Sequence, residues 1–215
     1  QTFGFFGLLK RLGEEQSMVR ARATPQALLF ASQSAPEKEK AEIAILSTVQ
    51  EFVSFIEANG GRRFSYLEDG VDLFLVGEKN ARVVRIAPGL LKEKSVKNFL
   101  EQEHFISCDA KAALHFLHNA GINARPADFD IMIASYLTGS FSRDFSYGAI
   151  VGRELGRPAD QEIRQDFAAI FEIEASLQKK LESEDMKKVF FDMEMPMIRI
   201  LLDMEEKGVM VDPLF

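Results

Sequence analysis

FSYLEDGVDLFLVGEKNARVVRIA, residues 64–87, holds three short runs of strand-forming side chains: Phe64–Leu67, Val71–Val76 and Arg82–Ala87. Asp69-Gly70 separates the first two and Gly77–Asn80 the second two. Both are turn chemistry, because Gly reaches positive φ and Asp and Asn side chains bond their own backbone. Connections this short force neighbouring strands to run antiparallel, so the stretch predicts a three-stranded meander.

Upstream of it, Ile45, Val49, Phe52 and Ile56 recur at helical spacing, which predicts a helix over 41–58. Gly60-Gly61 stops that helix, and with no strand-to-helix context it reads as a turn and not a phosphate loop. Downstream, the pattern predicts helices at about 92–102, 110–120, 128–138, 144–155 and 160–183, with a brief strand at His104–Ser107. Asp109 is placed to cap the helix 110–120, and Gly121 to end it. A last helix, about 186–207, contains Pro196, which lacks an N–H and clashes with the preceding turn, so a kink or break is expected there. Gly208 closes it, and Val209-Met210-Val211 begins an extended element. The expected class is α/β, a mixed sheet flanked by helices plus a C-terminal helical extension.

Toward the start, Leu8, Leu9 and Leu12 line one stripe of a short helix within residues 1–12. Residues 13–40 are rich in Glu, Gln, Ser, Ala and Lys, with Pro25 and Pro36, and read as a linker. The chain begins with Gln and stops just after a Pro, and is read as an excerpt of something longer.

The formal net charge is −7, the opposite of the basic surface that phosphate neutralisation demands, so any grip of this chain on nucleic acid should be weak. One cysteine, Cys108, excludes an internal disulfide and fits a reducing cytoplasm. No apolar run approaches the ~20 residues that span a bilayer. The first residues lack the order of a signal peptide.

Several side chains invite a functional reading. Glu68, Asp69, Asp109 and Asp130 are candidates for a metal site, but adjacent Glu68 and Asp69 face opposite ways on a strand, and Asp109 and Asp130 suit helix starts. His115 and His118 are three apart on one helix, without a third ligand at supporting spacing. Cys108 has no paired base and reads as a small buried residue. Lys10-Arg11 and Arg62-Arg63 read as solvated charge.

Three stretches resemble the bacterial family A DNA polymerases of the DNA polymerase I type. MEMPMIRILLDMEEKGVMVD, Met193 to Asp212, is similar to the segment where that family passes from exonuclease domain to polymerase module, matching at Glu194, Met195, Pro196, Leu201, Met204, Glu205, Gly208, Val211 and Asp212. NAGINARPADFDIMIASYLTGS, Asn119 to Ser140, and FGFFGLLKRL, Phe3 to Leu12, resemble two further family segments in the family's order. The resemblance implies an RNase H-like, 3′→5′ exonuclease-like fold for about 41–185. It makes 1–12 the end of a joining segment after a 5′-nuclease domain, and 186–215 the start of the polymerase module. The implied parent is a monomeric, cytoplasmic DNA-directed DNA polymerase of replication and repair, holding DNA and using Mg at a polymerase site outside this chain.

An active exonuclease of this family works with two metal ions roughly 4 Å apart, which need several carboxylates. Its first motif is Asp-x-Glu; the resemblance sets Leu67 at the Asp and Asp69 at the Glu. Counting back from Gly121 sets Ala113 at the second-motif Asp, and FAAIF sets Phe167 at the Tyr and Phe171 at the Asp of the third. Three of four ligand carboxylates and the water-orienting Tyr hydroxyl are therefore missing, Asp69 alone remains, and the expected segment is a scaffold without metal, cofactor or catalysis. The rivals are an active 3′→5′ exonuclease with relocated carboxylates and a free-standing binding module unrelated to polymerases.

Overall fold

The computed structural model describes residues 43–139, 142–159 and 163–208, all within the compact unit Ala41–Phe215. The joining segment 1–12, Lys10-Arg11, the linker 13–40 and the extended start at Val209 lie outside the described residues.

The chain enters through β1 (Ala44–Leu46) and α1 (Val49–Asn59). The helix expected over 41–58 is thus a strand and a shorter helix. The boundary is a capping box: the Thr48 hydroxyl accepts from the Glu51 N–H, and the Glu51 carboxylate accepts from the N–H groups of Ser47 and Thr48. The buried side of α1 is Phe52, Phe55 and Asn59; Ile45, assigned by period to that stripe, is 46% exposed on β1. Gly60, at φ 62, ends the helix, and Gly61 follows at φ 73.

The meander is present as β2 (Phe64–Glu68), β3 (Leu73–Gly77) and β4 (Val83–Ile86), antiparallel throughout. A 3₁₀ turn at Leu90–Lys92 leads into α2 (Lys94–Gln102) and β5 (Phe105–Ser107). Next come α3 (Ala110–Asn119), β6 (Phe129–Asp130) and α4 (Ile131–Thr138). The sheet order is β1-β4-β3-β2-β5-β6, with β1 parallel to β4, β5 parallel to β2 and β6 parallel to β5. Both outer strands fall where the pattern predicts helix, β6 within the helix expected at 128–138. At three and two residues they are too short to display a period of two.

Strand alternation sorts the core. Phe64 meets Phe55 and Phe99 at centroid distances of 6.1 and 5.2 Å, so α1 and α2 cover its side of the sheet. Leu67 points the other way, and its cross-strand partner Phe74 shares that side. There Phe74 meets Phe167, on a 3₁₀ turn (Phe167–Ala169) between α6 (Ile163–Asp166) and α7 (Ile170–Ser183). The helix expected from 144 begins at Tyr147, as α5 (Tyr147–Leu155), where the Ser146 hydroxyl accepts from the Ala149 N–H.

The C-terminal region runs from α8 (Lys187–Val189) through a π turn at Phe190–Glu194 into α9 (Met195–Lys207). Pro196 sits in the first turn of α9, where a missing N–H leaves few bonds unmade. The irregularity expected at Pro196 is this wide turn just before it. α9 packs against α3, with Lys111 Nζ donating to Glu205 Oε1 at 2.6 Å and His118 meeting the Glu206 carboxylate.

Candidate functional site

Asp69, the one remaining carboxylate of the implied metal face, stands one residue past the end of β2 and closes the β2–β3 turn. Its Oδ1 accepts the N–H groups of Val71 (3.1 Å) and Asp72 (2.8 Å). Its Oδ2 accepts Nε–H of Arg164 at 2.8 Å, and Nη2 of the same guanidinium reaches the same oxygen. Partial burial pulls this carboxyl up, but the two backbone donors and Arg164 outweigh it and hold it below its ordinary value.

The Arg164 guanidinium also lies 5.5 Å from the centroid of the Phe74 ring. Phe74 meets Phe167 edge-on at 5.3 Å, and Phe167 meets Tyr147 at 5.2 Å. The Tyr147 hydroxyl donates to the Asp166 carbonyl at 3.0 Å. Leu67 is 2% exposed on the same side of the sheet as Phe74, and Ala113 is fully buried on α3, which packs against β2. Phe171, half-buried against the core, lies under Arg63, whose guanidinium is 5.7 Å from the ring centroid. Arg63 donates to Glu174 Oε1 at 2.7 Å and Glu78 Oε1 at 2.8 Å, so it is a structural cation and not a merely solvated one.

The other carboxylates have backbone work. Asp130 is fully buried where α3 and α4 begin side by side. Its oxygens accept N–H groups from Ala110 (2.7 Å) and Asp109 (3.3 Å) at one helix and Met132 (2.8 Å) and Ile133 (3.3 Å) at the other. Burial pushes its carboxyl up to about 6 against the pull of these donors. Asp109 caps α3 as expected, accepting the Ala112 N–H at 3.1 Å. Glu68 Oε2 accepts the Gly70 N–H at 2.6 Å. Cys108 is half-buried, and desolvation together with the Asp130 and Asp109 charges raises its thiol well above the ordinary value, which opposes a nucleophilic role. His115 is exposed, and His118 faces Glu206.

Among the described residues, no group of three or more His, Cys, Asp or Glu side chains comes together as a metal site. A two-metal centre needs several oxygen donors with free lone pairs. Leu67, Ala113 and Phe171 are themselves apolar, and both oxygens of Asp69 are engaged. The residues present do not fit the metal pair. Arg164 and the Arg63–Glu174 pair were not singled out from the sequence. The Asp130 cap was signalled by an Asp immediately before the apolar run Ile131–Ala134.

A sheet of mixed direction with helices on both sides and a C-terminal helical region defines an RNase H-like exonuclease fold. Residues 63–154 match the family described as "DNA polymerase I, ribonuclease H-like domain". The chain is similar to the POL domain of Pol1 from M. smegmatis, solved in complex with DNA primer-template and dNTP. Identity is 22% and the TM-score 0.69, over 79% of this chain and 33% of that one. It is similar to a structure described as the apo form of a nuclease, at 13% identity and a TM-score of 0.59, over 77% of this chain and 91% of that one. It is also similar to Brucella melitensis NrnC with bound Mg2+, at 15% identity and a TM-score of 0.51, over 66% of this chain and 81% of that one. No curated protein gives a significant match. The chain spans about one third of the length of the Pol1 chain. No helix among the described residues is long and apolar enough to cross a membrane.

Proposed function

We propose that this chain is the exonuclease-like part of a DNA-directed DNA polymerase of the DNA polymerase I type, acting in replication and repair, and that this part does not hydrolyse DNA. It serves as a scaffold between a 5′-nuclease domain and a polymerase module. Residues 1–12 end the joining segment, 13–40 link, 41–185 form the scaffold domain, and 186–215 begin the polymerase module. The parent is a cytoplasmic monomer whose Mg and primed DNA are held by the polymerase module.

The observation that carries the scaffold reading is the state of Asp69: every oxygen that would turn toward a metal is already bonded to Val71, Asp72 or Arg164. The two metals of an exonuclease would activate a water and stabilise the leaving oxygen. Leu67, Ala113 and Phe171 offer no lone pair for that work, and Phe167 has no hydroxyl to orient a water.

The test is isothermal calorimetry of the purified chain with Mg2+ and Mn2+, followed by incubation with a 3′-labelled single strand. The expected result is no saturable binding and no shortening. Metal-dependent shortening, abolished by Asp69→Ala, Asp109→Ala or Asp130→Ala, would establish relocated carboxylates and a working exonuclease instead.

A further inference from the structure

Arg164 is the feature that the scaffold reading leaves unexplained. A domain that merely lost its ligands needs no cation on that face. Here a guanidinium is held by Asp69 Oδ2 on one side and the Phe74 ring on the other, and Phe74 is the strand partner of Leu67.

We infer that the Arg164 guanidinium is a built-in replacement for a metal cation: it neutralises Asp69 and fixes the α6–α7 segment onto the sheet, so the face is closed to divalent ions even when carboxylates are present. The inference rests on reading this face as a converted metal centre.

Three observations support it. First, the carboxylate is saturated. Oδ1 is committed to the turn and Oδ2 to Arg164, so an incoming metal must displace one or the other. Second, the cation is anchored from a different layer. Arg164 precedes the 3₁₀ turn whose Phe167 packs on Phe74 and Tyr147, so one ion pair and one aromatic cluster pin the same segment. Third, a fixed positive charge beside the face repels a divalent ion at short range, and the partly buried setting of Asp69 weakens screening. The guanidinium also presents its planar fork to the carboxylate, so a metal would have to displace both of its contacts with Asp69 Oδ2.

The experiment has two arms, both on the 215-residue chain. In the first, thermal unfolding is followed for the wild type, Asp69→Asn, Arg164→Ala and the double variant, with EDTA or with Mn2+. Arg164→Ala is expected to lower the midpoint by about 4 °C. The double variant should unfold no lower than Arg164→Ala alone, and Mn2+ should move none of the four. An unchanged midpoint for Arg164→Ala, or effects of the two substitutions that simply add, would overturn the inference. In the second, the carboxylates are restored together as Leu67→Asp, Ala113→Asp and Phe171→Asp, with and without Arg164→Ala, and Mn2+ binding is read by calorimetry. Binding about tenfold or more tighter when Arg164 is removed is expected. Equal binding in both would overturn the inference while leaving the scaffold reading intact. Shortening of a labelled strand by the wild type would overturn the scaffold reading by itself. Should the restored chains fail to fold, the first arm decides alone.

Discussion

Two places in this domain put carboxylates, or the positions implied for them, against the sheet, and they have opposite chemistry. At the tip of β6, Asp130 keeps its carboxyl fully buried. Beside β2, Leu67, Ala113 and Phe171 are apolar, and Asp69 is partly buried just past the strand's end. The difference is in the donors that each place supplies. Two helix N-termini deliver four backbone N–H groups to Asp130, and those donors exist whether or not a metal is present. Leu67 and Ala113 instead lie in the buried core. Carboxylates clustered there without metals would repel one another and would cost free energy to bury. A buried carboxylate is accommodated at Asp130 because the backbone meets it.

The largest expected effect comes from forcing the second place to behave like the first. Leu67→Asp alone should cost about 4 kcal/mol in urea unfolding at neutral pH, because it buries a charge with neither donor nor metal. A loss below about 1 kcal/mol would show that the β2 face solvates a carboxylate, and the comparison would fail. The converse change, Asp130→Ala, should cost about 3 kcal/mol, since it leaves N–H groups of Ala110 and Met132 without acceptors. Hydrogen exchange should then quicken first at the starts of α3 and α4; loss of protection confined elsewhere would refute the shared-cap reading.

The pH dependence sharpens the same contrast. Asp130 has a folded-state pKa of about 6, above its ordinary 3.8, so the folded form holds the proton more tightly than the unfolded chain. Its contribution to stability is therefore greatest below about 4, declines as pH rises to about 6 and is constant above that. Asp69 has the opposite sign: its depressed pKa contributes stability above the ordinary carboxyl range, which is lost as pH falls through its folded value. Unfolding free energy measured from pH 4 to 7 should show the Asp130 decline in the wild type and lose it in Asp130→Asn. A profile unchanged by that substitution would remove Asp130 as its source. The smallest effect is expected at Tyr66, whose buried hydroxyl has no hydrogen-bond partner among the described residues. Tyr66→Phe should be neutral or raise stability by up to about 1 kcal/mol, and a loss above that would mean that the hydroxyl is satisfied in solution.

The meander was legible because its signals are local: Asp69-Gly70 and Gly77–Asn80 fix turns whatever the rest of the chain does. β1 was not, because its identity comes from pairing with β4 some forty positions on, and a three-residue strand carries too little pattern of its own. The Thr48–Glu51 capping box was there to be read and marked where α1 begins. β6 failed for the same reason as β1, while the Asp130 cap beside it followed a readable rule. At the candidate site, positions 67, 113, 167 and 171 were reached only through family resemblance, since an apolar residue by itself marks no metal-ligand position. Arg164 was out of reach, because its partner lies 95 positions away and no local pattern links them.

The π turn at Phe190–Glu194 acts as a vernier on the helix that follows. The buried residues on either side of it are Phe190, Met195, Ile198 and Leu202, separated by five, three and four. An unbroken α-helix continuing from Phe190 would carry Glu194, Met197 and Leu201 inward instead. The one surplus residue therefore chooses which methionines and leucines face out, leaving Met197 and Leu201 among the exposed side chains. Deleting a single residue from 191–194 would set Met195 four places after Phe190, so that a regular α-helix would keep Met195, Ile198 and Leu202 inward and the wide turn would have no work left to do.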